Sequence, residues 1–290
     1  MTVREYLVPS SLSEAIGLLQ RHGPDLLVMA GGTVAMPLVN EGISLPERVM
    51  SLKRAGLDGI EEATGSLRIG ATTTLTRLLE QDALPLLAEA ARHTASWTVR
   101  NMGTVGGNLF TPPPGGDIAV ALLALDARVR LAGPGRERVI PLADLFTGFM
   151  TSALAADELL AAIEVPTTPR ETAFLKLGRK QANTPAVVTV AVALTREHGL
   201  VRGARIALGA AGPHPIRAMD AEAALTGSPL DPATIDRAAG AAARESRPFT
   251  DAIASAWYRR RMVGVVVRRA LEQIAAPAQP AAAGGGGASR

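Results

Sequence analysis

Two glycine clusters are the residues best suited to chemistry in this chain. Ala30-Gly31-Gly32-Thr33 follows directly on a compact apolar run, Leu26-Leu27-Val28-Met29-Ala30, and Thr104-Val105-Gly106-Gly107-Asn108 lies further along. Glycines in such turns let the backbone take positive φ and bring its N–H groups close to a ligand. Successive amides then form a concave donor site for phosphate oxygens, with threonine hydroxyls adding donors. Two such sites suit a pyrophosphate gripped from both sides, although a Gly-Gly turn after a strand is by itself more often only a turn. Neither carries the Gly-x-Gly-x-x-Gly or the Gly-Lys-Ser/Thr spacing, so a Rossmann fingerprint and a Walker A loop are both excluded. The four histidines show no metal-ligand spacing, and no Gly-x-Ser-x-Gly elbow is present. No residue is assigned to acid–base or nucleophilic catalysis, and no metal ligand is expected.

The elements that position these clusters follow from periodicity. The chain opens as strand, helix, strand and glycine turn. Ser11 followed by Glu14 has the capping-box spacing, and Leu12, Ala15, Ile16 and Leu19 recur at helical period. Leu26 to Ala30 has the length of a buried strand, and Arg48 to Leu52 is another. Leu67 to Ala71 reads as a strand entering a threonine-rich turn, with helical segments over Leu75–Gln81 and Leu84–His93. Thr111 to Gly116, rich in proline, cannot be a regular helix. Asp117 then stands at an N-cap position ahead of the apolar segment Ile118 to Leu125. A further region begins near Glu171 with the strand-like Phe174-Leu175-Lys176-Leu177. Ala186–Leu194 and Val201–Leu208 are expected to pair across a His198-Gly199 turn. Three helices close the chain, the last from about Asp251 to Ile274, and Ala275–Arg290 has almost nothing to bury and reads as a disordered tail.

Composition narrows the function classes. Hydrophobic residues make up 47% and aromatics only 3%, so the core must be built of Ala, Val, Leu and Ile. The formal net charge is +3. Arg259, Arg260 and Arg261, followed by Arg268 and Arg269, read as a solvated helix face, without alternating aromatics for base stacking, so no nucleic acid is expected. There is no cysteine, which excludes disulfides and any iron–sulfur cluster ligated by this chain. The N-terminus has no apolar signal core, and no apolar run approaches the ~20 residues needed to span a bilayer. A cytoplasmic protein is expected.

Val99-Arg100-Asn101-Met102-Gly103-Thr104-Val105-Gly106-Gly107-Asn108-Leu109, with the prolines and Asp117 beyond it, closely resembles the FAD-binding subunits of molybdenum hydroxylases. These are the medium subunits of aerobic carbon monoxide dehydrogenase and the flavin domains of xanthine dehydrogenase. Ala30-Gly31-Gly32-Thr33 stands where that family has its first flavin-binding turn. Glu158-Leu159-Leu160 leading to Ile163-Glu164-Val165-Pro166 is similar to a third family segment, and Phe174 to Arg179 to the opening of its C-terminal domain. The resemblance covers roughly residues 1–270.

The resemblance implies one non-covalent FAD held by the backbone of Ala30, Gly31, Gly32, Thr33 and Val34 and of Thr104, Val105, Gly106, Gly107 and Asn108. Asp117 would bind a ribose or nearby hydroxyl, Leu160 would touch the adenine or flavin end, and Lys176 would lie near the polar edge of the isoalloxazine. A helix N-cap for Asp117, a buried strand leucine for Leu160 and a solvated strand lysine for Lys176 stay open as alternatives. Where many relatives have an acidic residue after Gly-Gly-Thr, this chain has Val34. Trp97 reads as an aromatic core residue or as packing on the cofactor. The implied fold is α+β. A PCMH-type FAD-binding domain over 1–170, with subdomains of about 1–60 and 61–170, precedes a C-terminal domain over 171–274, a small antiparallel sheet with helices. The implied role is electron transfer from a 2Fe–2S small subunit to NAD, a quinone or oxygen, beside a molybdopterin-binding large subunit. A self-sufficient flavin oxidoreductase and a non-enzymatic assembly module are the rival readings.

Overall fold

The computed structural model describes residues 3–112, 116–181 and 183–276. The chain opens on a three-stranded parallel sheet in the order Glu5–Leu7, Arg48–Ser51, Leu26–Met29. The helix Leu12–His22 starts where expected: the Ser11 hydroxyl accepts from the Glu14 amide at 3.1 Å. Glu14 reaches back one residue further than a capping box requires, taking the Ser10 amide at 2.7 Å.

The second sheet is antiparallel, ordered Ile60–Ala63, Ser66–Gly70, Leu159–Pro166, Arg128–Gly133, Arg136–Pro141. Its central strand, Leu159–Pro166, is covered on both faces. The register shifts between Leu160 and Ala162, and such a bulge reverses side-chain alternation. Leu160, Ile163 and Val165 therefore share the main core, while Leu159 and Ala161 join Leu19, Leu26 and Met50 beneath the parallel sheet.

The third sheet is antiparallel, ordered Glu171–Gly178, Ala186–Glu197, Leu200–Gly209, Ile216–Arg217. His198 and Gly199, at φ 51 and 79, form the expected tight hairpin between the two long strands. Val188, Val190, Val192 and Leu194 face the helices Met219–Leu225, Pro232–Glu245 and Ala256–Ala275. Ala191 and Ala193, on the other face, lie in the main core with the helix Asp117–Ala124. That helix is buried on every side, as its run of apolar residues from Ile118 to Ala124 requires. Small residues let it approach: a Cβ on Gly209 would stand 2.7 Å from Val120 Cγ2. Beyond its C-terminal end, Asp126 accepts from Arg170, Arg205 and Arg217, and Arg170 also donates to the Ala124 carbonyl at 3.1 Å. The fold is thus α+β, and no helix among the described residues is long and apolar enough to cross a membrane.

Several expectations need correction. The second glycine cluster is a short helix, Val105–Leu109, and not a turn, because Thr104 caps it by accepting from the Gly107 amide at 3.1 Å. The helix expected over Leu75–Gln81 ends at Leu78. The last helix starts at Ala256 behind Ser255, since Asp251 instead closes a turn by accepting from the Ile253 and Ala254 amides. It runs through Ala275, the first residue of the expected tail; residues 277–290 lie outside the described residues, as do 113–115 of the proline-rich segment.

The arginine cluster is not one solvated face. Arg259 is 0% exposed, and its guanidinium donates to both Asp251 oxygens, at 2.8 and 2.9 Å, and to the Val187 carbonyl at 2.9 Å. Arg260, Arg261, Arg268 and Arg269 are exposed. An aromatic does accompany them: Arg261 lies over the Trp257 ring at 5.8 Å. Arg259→Ala should cost about 3 kcal/mol, as when one partner of a buried ion pair is removed, which at this chain length lowers Tm by roughly 6–12 °C. Arg260→Ala should stay within about 2 °C of the parent. Thermal melts of the two variants decide the matter, and equal melting temperatures would restore the reading of one solvated face.

Candidate functional site

The three sheets leave between them a cleft of about 1060 Å³, near the upper end for small-molecule sites. Every residue expected at the site lines it except Val105, which is fully buried. The two glycine clusters meet there because side chains are missing. A Cβ on Gly31 would stand 1.9 Å from the Met102 carbonyl oxygen, and one on Gly103 3.5 Å from Thr33 Oγ1. The first turn therefore lies directly against the segment that leads into the second cluster.

The clusters differ in what they leave free. The Val105 amide donates to the Thr73 carbonyl and the Gly106 amide to Ala71, both at 2.9 Å. Gly107 donates to Thr104 Oγ1 and Asn108 to the Thr104 carbonyl. The glycines here serve close approach, since a Cβ on Gly106 would stand 2.7 Å from the Ala71 carbonyl oxygen. In the first cluster the amides of Gly31, Gly32, Thr33 and Val34 donate to no partner among the described residues, and Gly32 takes φ 71. Four successive unengaged amides bordering a cleft make the concave donor set that an oxyanion needs. Of the two clusters expected to offer backbone donors, only the first leaves its amides unengaged among the described residues. The second is a wall, and Asn108 spends its side-chain oxygen on the Ile118 amide at 3.1 Å.

Asp117 is not an N-cap. Gly116, at φ 86, occupies that position without a side-chain bond, and Asp117 begins the helix. Its Oδ2 accepts from Lys176 Nζ at 2.6 Å and its Oδ1 from Thr189 Oγ1 at 2.8 Å. Lys176 also donates to the His93 carbonyl at 3.1 Å, and both charged side chains of the pair are 7% exposed. The solvated-lysine alternative for Lys176 is therefore overturned. Leu160 is a buried strand residue that also borders the cleft. Trp97 is 66% exposed and lies outside the lining, because it starts a four-residue helix on the surface, so neither expectation for it holds.

Sequence reasoning missed several lining residues. Ala95 takes φ 54 and is held in place by Arg100 Nη1, which donates to the Thr94 and Ala95 carbonyls at 3.0 Å each. Nothing in the local sequence marks that turn. Thr72, within the threonine-rich turn, borders both this cleft and a neighbouring cavity. In the sequence Glu158 stands out only as part of a family segment. Its buried carboxylate accepts from Arg138 at 2.7 and 2.9 Å and from the Ala155 amide at 3.0 Å. The Arg138 hydrogen bonds, with help from that amide, outweigh burial and hold its pKa down at about 2, against an ordinary 4.5.

Comparison with known proteins gives consistent relatives. Residues 2–168 match the family described as FAD binding domain in molybdopterin dehydrogenase, and residues 172–274 the CO dehydrogenase flavoprotein C-terminal domain. The carbon monoxide dehydrogenase medium chain of Afipia carboxidovorans is 34% identical, covering 95% of this chain and 98% of that protein. A xanthine dehydrogenase FAD-binding subunit of Escherichia coli is 30% identical over 93% and 95% of the two chains. A structure of carbon monoxide dehydrogenase from Hydrogenophaga pseudoflava superposes with a TM-score of 0.90 at 35% identity, over 93% of this chain and 96% of that one.

Because the Glu158 pKa is lowered by folding, its contribution to stability is complete above pH 4.5 and is lost as pH falls toward about 2. Glu158→Gln should lack this contribution at neutral pH, and its urea midpoint should vary less with acidity than the parent's across that window. Parallel curves for the two proteins would refute the assignment.

Proposed function

The chain belongs to the FAD-binding flavoprotein subunits of molybdopterin dehydrogenases, and from that membership we propose that its cleft holds one dissociable FAD against the Gly31–Val34 amides. Those four unengaged amides carry the reading. They supply oriented donors that cost no reorganisation when an oxyanion arrives, and the absence of a Cβ on Gly31 keeps them against the opposite wall. The described lining contains no histidine, cysteine or tyrosine, which supports a dissociable cofactor.

The cofactor supplies redox chemistry; this chain binds, orients and screens it. Thr104 to Asn108 forms the facing wall. Asp117 and Lys176 place a fixed dipole at the cleft, and Lys176 reaches it from the strand Glu171–Gly178. With Leu160 they line the same cleft as the amide cradle. Val34, where relatives have an acidic residue, contributes its backbone amide.

The medium chains of this family are components of multi-subunit oxidoreductases. We infer that this chain receives electrons singly from a 2Fe–2S small subunit and delivers pairs to NAD, a quinone or oxygen, in the cytoplasm. A molybdopterin-binding large subunit would hold the substrate. The lack of any cysteine supports this division, because clusters ligated by thiolates must then belong to another chain. The division into a cofactor domain over 1–170 and a C-terminal domain over 171–274 belongs to the same reading, supported by the segments the two family models match.

The purified chain, as isolated or after incubation with FAD, should show an oxidised-flavin absorption spectrum and release about one equivalent of FAD on acid treatment. A protein that stays colourless with excess FAD would overturn the proposal. Release of flavin only after proteolysis would overturn its dissociable character.

A further inference from the structure

The threonine-rich turn contains three consecutive hydroxyls, and they are not equivalent. Thr73 Oγ1 is engaged on both sides, accepting from the Gly59 amide at 3.0 Å and donating to the Gly59 carbonyl at 2.9 Å. Thr74 is only partly buried. Thr72 is 8% exposed, its amide is bound to the Leu57 carbonyl at 2.9 Å, and its Oγ1 is buried with no partner among the described residues. A buried hydroxyl left unpaired is destabilising, and most such groups in folded proteins find a partner. A valine of nearly the same shape would avoid that cost.

The place of Thr72 in the fold supplies a reason for keeping its hydroxyl. Thr72 borders the main cleft and also a second cavity of about 360 Å³. Ala30, Gly31 and Thr104 border both as well, so these four residues surround the seam between the two spaces. At the same seam lies the unengaged Gly31 amide. The Thr104 hydroxyl accepts from the Gly107 amide, which leaves its own proton to donate. The second cavity is flanked by Lys53 and Arg77. Asp58 also lines the second cavity, but two cations outnumber its one carboxylate. With the hydroxyls of Thr72 and Thr104 and the Gly31 amide, the net complement is an oxygen-rich anion.

We propose that Thr72 is a further cofactor-binding residue, whose Oγ1–H donates to a pyrophosphate oxygen of the bound dinucleotide at the seam between the two cavities. The inference rests on the reading of the cleft as the FAD site. Thr104 and the Gly31 amide complete the donor set, and the second cavity, with Lys53 and Arg77 at its border, receives the outer phosphate oxygens. The cofactor thereby satisfies a group that the chain alone leaves unpaired.

The test is FAD titration of the full chain, followed by flavin fluorescence, for the parent, Thr72→Val and Thr72→Ser, with melting curves of each cofactor-free protein. The dissociation constant should rise about ten-fold or more in Thr72→Val, as for loss of a hydrogen bond to a charged group. Thr72→Ser should stay within about three-fold of the parent. Cofactor-free Thr72→Val should melt no lower than the parent, because an unpaired buried hydroxyl has been removed. Unchanged affinity in Thr72→Val while the parent binds FAD overturns the role of Thr72 and leaves the cleft assignment standing. A parent that binds no FAD overturns both. A Thr72→Val that loses affinity only together with cofactor-free stability shows a structural role and overturns the proposal.

Discussion

The ion pair between Asp117 and Lys176 is the interaction on which the arrangement of the site depends. Its partners are 59 residues apart in sequence and 2.6 Å apart in space. Asp117 begins the helix buried between the antiparallel sheets, and Lys176 stands on the first strand of the C-terminal sheet. Thr189, on the neighbouring strand, takes the second carboxylate oxygen, and the His93 carbonyl takes a further ammonium proton. Buried charges are tolerated when their remaining hydrogen-bonding capacity is met in this way. The pair ties the start of the central helix to the third sheet, and the Asp126 arginine cluster ties the region beyond its other end. Between those two anchors the helix is surrounded by apolar residues, apart from the Ile118 amide in its first turn, which donates to Asn108 Oδ1.

Around that helix the cleft is shaped as much by absent side chains as by present ones. Gly31 lets the first turn contact Met102, Gly106 lets the second cluster contact Ala71, and Gly209 lets the third sheet contact Val120. The first two bring the walls of the cleft together, and the third brings up the sheet that carries Lys176. The resulting division of labour is asymmetric. Amides of the second cluster are consumed in holding it to Ala71 and Thr73, which makes it rigid, while those of the first remain available to a ligand. Such preorganised backbone donors are effective because they need no reorientation on binding.

Much of the scaffold was legible in local residue patterns. The Ser11 cap, the run from Leu26 to Met29 and the hairpin turning at His198 and Gly199 each form from neighbours in sequence. So did the membership of the central motif, since Val99 to Leu109 is specific enough to imply its family. Misread elements were those decided at a distance or by a competing local bond. Asp117 has the residue type and place of an N-cap, yet a lysine brought in by the third sheet claims it. Arg259 looks like its exposed neighbours, yet the helix turns it toward carbonyls of the strand Ala186–Glu197 and toward Asp251.

The sequence alone determined which segments could approach a ligand closely, because that property resides in glycine itself, and it determined that this chain ligates no cluster through thiolates, because cysteine is absent. Tertiary structure alone decided which of the two glycine clusters keeps its amides free of partners among the described residues, which charges are buried as a pair, and which of three adjacent threonine hydroxyls is buried without a partner there. Each of those outcomes depends on groups distant in sequence, such as Ala71 against Gly106 or Gly59 against Thr73. Hydrogen bonding and burial are properties of the surroundings, and residue type specifies only what a group can do once those surroundings are in place.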